Sequence, residues 1–162
     1  MVSVPSSEHY HATVKTPFAV LGVMTEEEKL ASITFLPSDF PLYAPQTEFA
    51  QRCVAQLQKY LENPRFEFDL PIKLVDTPHR MKVWQALRRI PLAATRTYRD
   101  IALELHSSPR AVGQACGANP LPIVIPCHRV LACSGIGGFM HSAKGRPIGI
   151  KQWLLAHEQC QH

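Results

Sequence analysis

Asp76-Thr77-Pro78 splits this chain into two folding problems. Thr77 can cap a helix by accepting from an amide further on, and Pro78 suits the first helical turn, where a missing N–H costs nothing. Net charge changes sign at the same point. Residues 1–76 hold six Lys/Arg against ten Asp/Glu, a formal −4, whereas residues 77–162 hold eleven against three, a formal +8. The modest total of +4 conceals this asymmetry. We therefore expect two small domains, 1–76 and 77–162, the second with the electrostatic footprint of a protein that binds a phosphate backbone. Charge alone does not separate DNA from RNA.

In the first part, Tyr10–Val14, Ala19–Met24 and Leu30–Phe35 read as short strands of an antiparallel sheet, with a charged connection at 25–29 between the last two. Residues 45–63 read as a helix, since Phe49, Cys53, Leu57 and Leu61 recur four apart and Tyr60 joins their face. Asn63-Pro64 ends it, and Arg65–Leu70 reads as another strand before Pro71.

After Pro78, a helix carrying Met81, Val83, Trp84, Leu87 and Ile90 closes at Pro91. Thr97 and Asp100 form a capping box for a short helix with Ile101, Ala102 and Leu105 inward. His106-Ser107-Ser108 then turns the chain into a helix from Pro109 to Ala118, so 97–118 has the pattern of a helix-turn-helix. That pattern also occurs in ordinary helical cores. The last helix places Lys151, Leu154 and Glu158 on one face.

Five cysteines, at 53, 116, 127, 133 and 160, are odd in number and contain no C-x-x-C pair, so neither a disulfide framework nor a ribbon-type zinc site is indicated. A reducing, intracellular compartment is expected: the cytoplasm, or the nucleus in a eukaryote. No basic n-region follows Met1, and the apolar run Phe18–Met24 is too short to span a bilayer.

The chemistry concentrates at Ile125-Pro126-Cys127-His128-Arg129-Val130, which sets a thiol beside a base at the end of an apolar run. Most buried cysteines are inert small hydrophobes. The surroundings argue otherwise here: Asn119-Pro120 upstream, Gly137-Gly138-Phe139 downstream, then Lys151-Gln152-Trp153-Leu154-Leu155-Ala156-His157-Glu158. Together these resemble the active-site segment of the O6-alkylguanine-DNA alkyltransferases, which take alkyl groups from damaged guanine onto a cysteine. The resemblance is close over 77–162 and faint over 1–76. It implies an α/β N-terminal domain of ribonuclease-H-like type, a small antiparallel sheet plus helix, followed by a mostly α C-terminal winged helix-turn-helix domain.

The resemblance also implies roles. Alkyl transfer from guanine O6 is a displacement at carbon, which a thiolate performs and a thiol does not. Cys127 is the implied acceptor and His128 its base, acting through a water because neighbours on an extended segment point opposite ways. Glu158 would hold the other imidazole nitrogen, Asn119 would brace the turn before the active-site strand, and Tyr98 would meet a phosphate and give a proton to the departing guanine. Arg110 matches an arginine that fills the space left by an extruded base. Ala111, Gly113 and Gln114 follow it on the recognition helix, the small residues admitting the helix to a minor groove. Pro122, Val130, Phe139 and Met140 are expected in the substrate pocket. Phe139 stands where tyrosine is usual, and residues 139–150 replace a shorter glycine-rich loop, so this insertion is expected to influence substrate range. Neither a cofactor nor a metal is implied, since His9, His11 and Cys53 lack ligand spacing. The implied partner is double-stranded DNA containing O6-alkylguanine, with O4-alkylthymine a further substrate, and a monomer able to assemble along DNA is expected.

Two other readings stay open. Alkyltransferase-like proteins bind alkylguanine without repairing it, but they replace the cysteine that is present here as Cys127. A cysteine hydrolase using Cys127, His128 and Glu158 would separate nucleophile and base in sequence and supply an oxyanion hole, neither of which is apparent. Turnover separates the three: one alkyl group per molecule, none, or many.

Overall fold

A computed structural model describes residues 10–159; His9 and Cys160 lie outside them. The chain divides into two compact units, 1–73 and 74–162.

The first unit is a three-stranded antiparallel sheet with one helix. Strands β1 (Ala12–Lys15), β2 (Val20–Glu26) and β3 (Lys29–Leu36) follow one another in space as in sequence. Val14 pairs with Leu21 and Val23 with Ile33. Glu27 and Glu28 make the tight β2–β3 connection at φ 52° and 59°. Helix α1 (Glu48–Glu62) starts where the Thr47 side chain accepts from the Ala50 amide. It buries Ala50, Cys53, Leu57 and Tyr60, with Phe49 and Leu61 only half-buried at the edges of the stripe.

The strand expected at Arg65–Leu70 does not form. Side chains of α1 take up its backbone instead: Gln56 bonds both the amide and the carbonyl of Asp69 (2.9 and 3.0 Å). Phe66 and Phe68 meet edge to face, and Phe68 lies against Tyr60. Only at Ile72 does the chain touch β3, in a single bridge to Leu30.

The second unit is mostly helical. Helix α2 (Pro78–Arg88) is capped by Thr77, whose side chain accepts from the Arg80 amide. Strand β4 (Arg96–Thr97) leads into α3 (Tyr98–Leu105), where both arms of the Thr97–Asp100 capping box are made. His106 ends α3 at φ 54°, and Ser108 caps α4 (Pro109–Gly117) by accepting from the Ala111 amide. Trp84 of α2 is fully buried and donates its indole N–H to the Ala115 carbonyl of α4 at 2.9 Å, so the second helix of the pair is held against α2 by a directional bond. Val83, Leu87, Ile101 and Val112 fill the space between these helices.

A short 3-10 turn, Cys127–Arg129, precedes β5 (Val130–Leu131), which runs parallel to β4. This corrects the extended segment expected at the Cys-His pair: the Arg129 amide reaches back to the Pro126 carbonyl at 3.0 Å. Helix α5 spans Arg146–Gln159. The irregular part of the 139–150 insertion therefore stops at Gly145, because Pro147 sits in the first helical turn, where proline is tolerated. No helix among the described residues is long and apolar enough to cross a membrane.

A buried cysteine behind a helix-turn-helix

Cys127 is 3% exposed and stands at the wall of a cavity of about 360 Å³. Its other walls come from α3 (Tyr98), from α4 (Pro109, Gly113, Cys116, Gly117) and from the segment Gly138–Ala143. The second helix of the helix-turn-helix and the thiol thus face the same space.

Behind the thiol lies a buried chain of polar groups. His128 is fully buried, and its Nε2 is 2.8 Å from Glu158 Oε2. Its Nδ1 is buried with no hydrogen-bond partner in the protein. Arg129 clamps the same carboxylate with two bonds, Nε to Oε1 at 2.9 Å and Nη2 to Oε2 at 3.0 Å, and donates from Nη1 to the Ile90 carbonyl at 2.6 Å. A buried carboxylate is tolerated only when its charge is matched in this way. Burial pushes the Glu158 carboxyl up, but hydrogen bonds from His128 and Arg129 outweigh it and leave the group at about 2. Burial holds His128 below its ordinary value despite Glu158, so the imidazole is a neutral acceptor at neutral pH. Burial also raises the Cys127 thiol, to about 11, against the opposing effects of an Asn119 hydrogen bond and the Lys151 charge. At rest Cys127 is a thiol, and the next residue along the chain is the buried neutral imidazole.

Asn119 joins the end of α4 to the cysteine. It donates from Nδ2 to the Ile125 carbonyl at 2.8 Å, accepts at Oδ1 from the Leu121 amide at 2.9 Å, and its side chain bonds Cys127. Tyr98 donates its hydroxyl to the Gly138 carbonyl at 3.1 Å. Burial and the neighbouring Cys116 and Cys127 push it up to about 12, so it keeps its proton. Gly137 must be glycine for two reasons: its φ is 75°, and a Cβ would stand 2.8 Å from the Tyr98 ring.

The sequence did not single out Lys151 or Arg129. Lys151 is fully buried, with Nζ donating to the carbonyls of Val130, Ile136 and Gly138 at 2.7, 2.6 and 2.9 Å. Burial lowers it to about 8. One ammonium therefore ties β5 to the 136–138 segment, whose Gly138 lines the cavity. The one available signal for Arg129 was arithmetic: a glutamate placed inward needs a cation.

Of the sequence-derived candidates, Cys127, Tyr98, Gly113, Phe139 and Met140 line the cavity, with His128, Glu158 and Asn119 directly behind the thiol. Arg110 and Gln114 are exposed on α4 and Ala111 is half-exposed, all three outside the cavity wall. Pro122 and Val130 do not line it either, which corrects their expected place in the pocket. Both are buried: Pro122 pairs with Ile125 in a turn, and Val130 is held in β5 with its carbonyl spent on Lys151.

A thiol backed by an imidazole–carboxylate pair, sharing its cavity with a helix-turn-helix, defines a cysteine-centred protein whose chemistry is presented to whatever that helix meets. Two family models cover nearly the whole chain: the ribonuclease-like domain of 6-O-methylguanine DNA methyltransferase matches residues 9–74, and the DNA binding domain of the same protein matches 78–160. The chain belongs to the 6-O-methylguanine DNA methyltransferase family. It is 34% identical to the constitutive methylated-DNA–protein-cysteine methyltransferase of Bacillus subtilis, over 95% of this chain and 98% of that one. Among solved structures it is similar to the O6-methylguanine methyltransferase of Mycobacterium tuberculosis, with a TM-score of 0.79, 31% identity and 94% of each chain covered. A structure of the M. tuberculosis protein in complex with DNA superposes with a TM-score of 0.77 at 32% identity, covering 91% of each chain.

Proposed function

We propose that this chain repairs duplex DNA by direct reversal, moving the alkyl group of O6-alkylguanine onto Cys127 once per molecule. Family membership supports the activity, and the buried His128–Glu158 pair beside a cavity shared by Cys127 and α4 is the observation that carries the residue assignment. Residues 77–162 form the DNA-binding and transfer domain and 1–76 the α/β domain.

A guanine inside the stack cannot reach Cys127, so it is extruded at a cost of a few kcal/mol. Arg110, exposed near the start of α4, enters the vacated stack. Ala111, Gly113 and Gln114 lie against the minor groove. A Cβ on Gly113 would meet nothing within 4 Å, so no neighbour in the protein requires glycine there, and a closely approaching partner supplies the reason. The cavity receives the base. Cys127 gives its proton through a bridging water to the open Nδ1 of His128, and Glu158 neutralises the resulting imidazolium. The thiolate attacks the alkyl carbon, the carbon–O6 bond breaks with its electrons going to guanine, and Tyr98 supplies the proton the departing base needs. The imidazolium proton of His128 is then returned to the tyrosinate of Tyr98, so the net change is one proton moved from the thiol to guanine. The thioether is stable, and no neighbour is suited to hydrolyse it.

A reactive thiol of this kind belongs in a reducing compartment, and we place the protein in the cytoplasm, or in the nucleus of a eukaryote. The test is intact-mass measurement after incubation with an O6-methylguanine duplex: one methyl group, located on Cys127 by peptide mapping. Repeated turnover, or a label on Cys116 or Cys133, would overturn the assignment.

A further inference from the structure

The cavity wall opposite Cys127 contains a feature that the transfer chemistry does not require. Phe139 and Ser142 pair across a two-residue turn, amide to carbonyl in both directions at 2.7 and 3.0 Å. The two residues at its tip, Met140 and His141, are both held at positive φ, 50° and 63°, where side chains with a Cβ are strained. Such a turn normally uses glycine or asparagine. A contact outside the turn can offset that strain.

The holding contact is at the end of α4. A Cβ placed on Gly117 would collide with the His141 ring, falling 2.5 Å from Cε1 and 2.9 Å from Cγ. Gly117 is not among the residues with positive φ, so its backbone would accept alanine, and alanine is the better helix former. The bare Cα leaves the space that the imidazole of the otherwise exposed His141 occupies. His141 and Gly117 both line the cavity, so this contact fixes the gap between the loop and the helix that presents the base.

We propose that His141, seated on Gly117, is a specificity-determining residue: it latches the 139–142 turn to α4 and so limits the size of the O6 adduct that Cys127 can reach. The inference rests on the alkyl-transfer reading. Without the ring, the turn loses the contact that offsets its strain, and the wall relaxes away from the cavity. Large arylmethyl adducts gain room. A methyl group gains nothing, since it already fits.

The experiment is a double-mutant cycle of His141→Ala and Gly117→Ala on the full chain. Single-turnover transfer is timed from two duplexes of one sequence, bearing O6-methylguanine or O6-benzylguanine. The ratio of the two rates cancels whatever DNA affinity both duplexes share. Either single variant should raise the benzyl-to-methyl ratio by about tenfold, the scale of discrimination a pocket wall provides. The double variant should show the same ratio as each single one. Melting temperature gives a second readout: Gly117→Ala should lower it when His141 is present and raise it when His141 is alanine. An unchanged ratio in His141→Ala overturns the inference, as does a further shift on adding Gly117→Ala to that variant. If the unmodified chain takes up neither group, the alkyl-transfer reading fails and the inference falls with it; transfer with an unshifted ratio sinks the inference alone.

Discussion

Replacing His128 by glutamine removes the proton acceptor while leaving a side chain able to bond Glu158, and the consequence is a change in the shape of the pH profile. In the proposed relay the Cys127 proton moves to His128 and stays within the site. His128 is held below its ordinary value of 6.5 and the thiol is raised to about 11, so no group in the relay titrates between these limits. Single-turnover transfer should therefore be flat from about pH 6.5 to 7.5, below the point near 8 at which Lys151 loses the charge that lowers the thiol. In His128→Gln the proton must go to solvent, and the reactive fraction becomes that of a thiol ionising at about 11: on the order of one molecule in a thousand at pH 8. A positioned general base contributes about 10²- to 10⁴-fold, so the variant should be slower by about that factor at neutral pH and should gain about tenfold per pH unit as the solution becomes alkaline. The assay is rapid-quench transfer from an O6-methylguanine duplex, with binding measured separately at each pH. A flat profile in the variant would remove His128 as the base, and a unit slope in the unaltered protein would show that the proton is lost to solvent after all.

Three further outcomes follow from the site. Arg110→Ala should slow repair in duplex far more than reaction with free O6-benzylguanine, which needs no extrusion; equal losses on both would make Arg110 a structural residue. Glu158→Gln should keep duplex affinity, slow transfer and flatten acid stability: because the folded carboxyl is depressed to about 2 from 4.5, its contribution, on the order of 3 kcal/mol, is complete above about pH 4.5 and lost as pH falls through about 2. Urea melts at pH 7 and pH 3 measure this, and an identical pH dependence in the variant would refute it. Gly113→Ala should stabilise the folded protein by about 1 kcal/mol, since its Cβ meets nothing, while weakening duplex binding; tighter or unchanged binding would place Gly113 away from the groove.

Where local chemistry decides structure, the sequence was readable. Thr77-Pro78, Thr97 with Asp100, and Ser108-Pro109 each start a helix through a side chain bonding a nearby amide, and each contact lies within three residues. Phe66 and Phe68 misled because alternating aromatics fit a strand as well as a loop packed on Tyr60, and the choice rests with Gln56, ten or more residues away. Residues 139–150 were read as one loop, although Pro147 is equally at home in the first turn of a helix. At the site, Cys127, His128 and Glu158 were visible through family resemblance and the chemistry of a thiol beside a base. Lys151 was visible only as a helix-face residue, since lysine is seldom buried, and its position depends on three carbonyls that tertiary folding brings together.

The relay also has an order in time. Cys127 leaves the ribosome before α5, which carries both Lys151 and Glu158. Domains fold as units during synthesis, so until α5 docks the thiol has no carboxylate behind its imidazole and no ammonium drawing the wall segments together. Once the fold closes, burial raises the thiol above its ordinary value, and only a group delivered to the cavity beside His128 can use it. Because each molecule reacts only once, closing that wall early protects the thiol from being spent elsewhere.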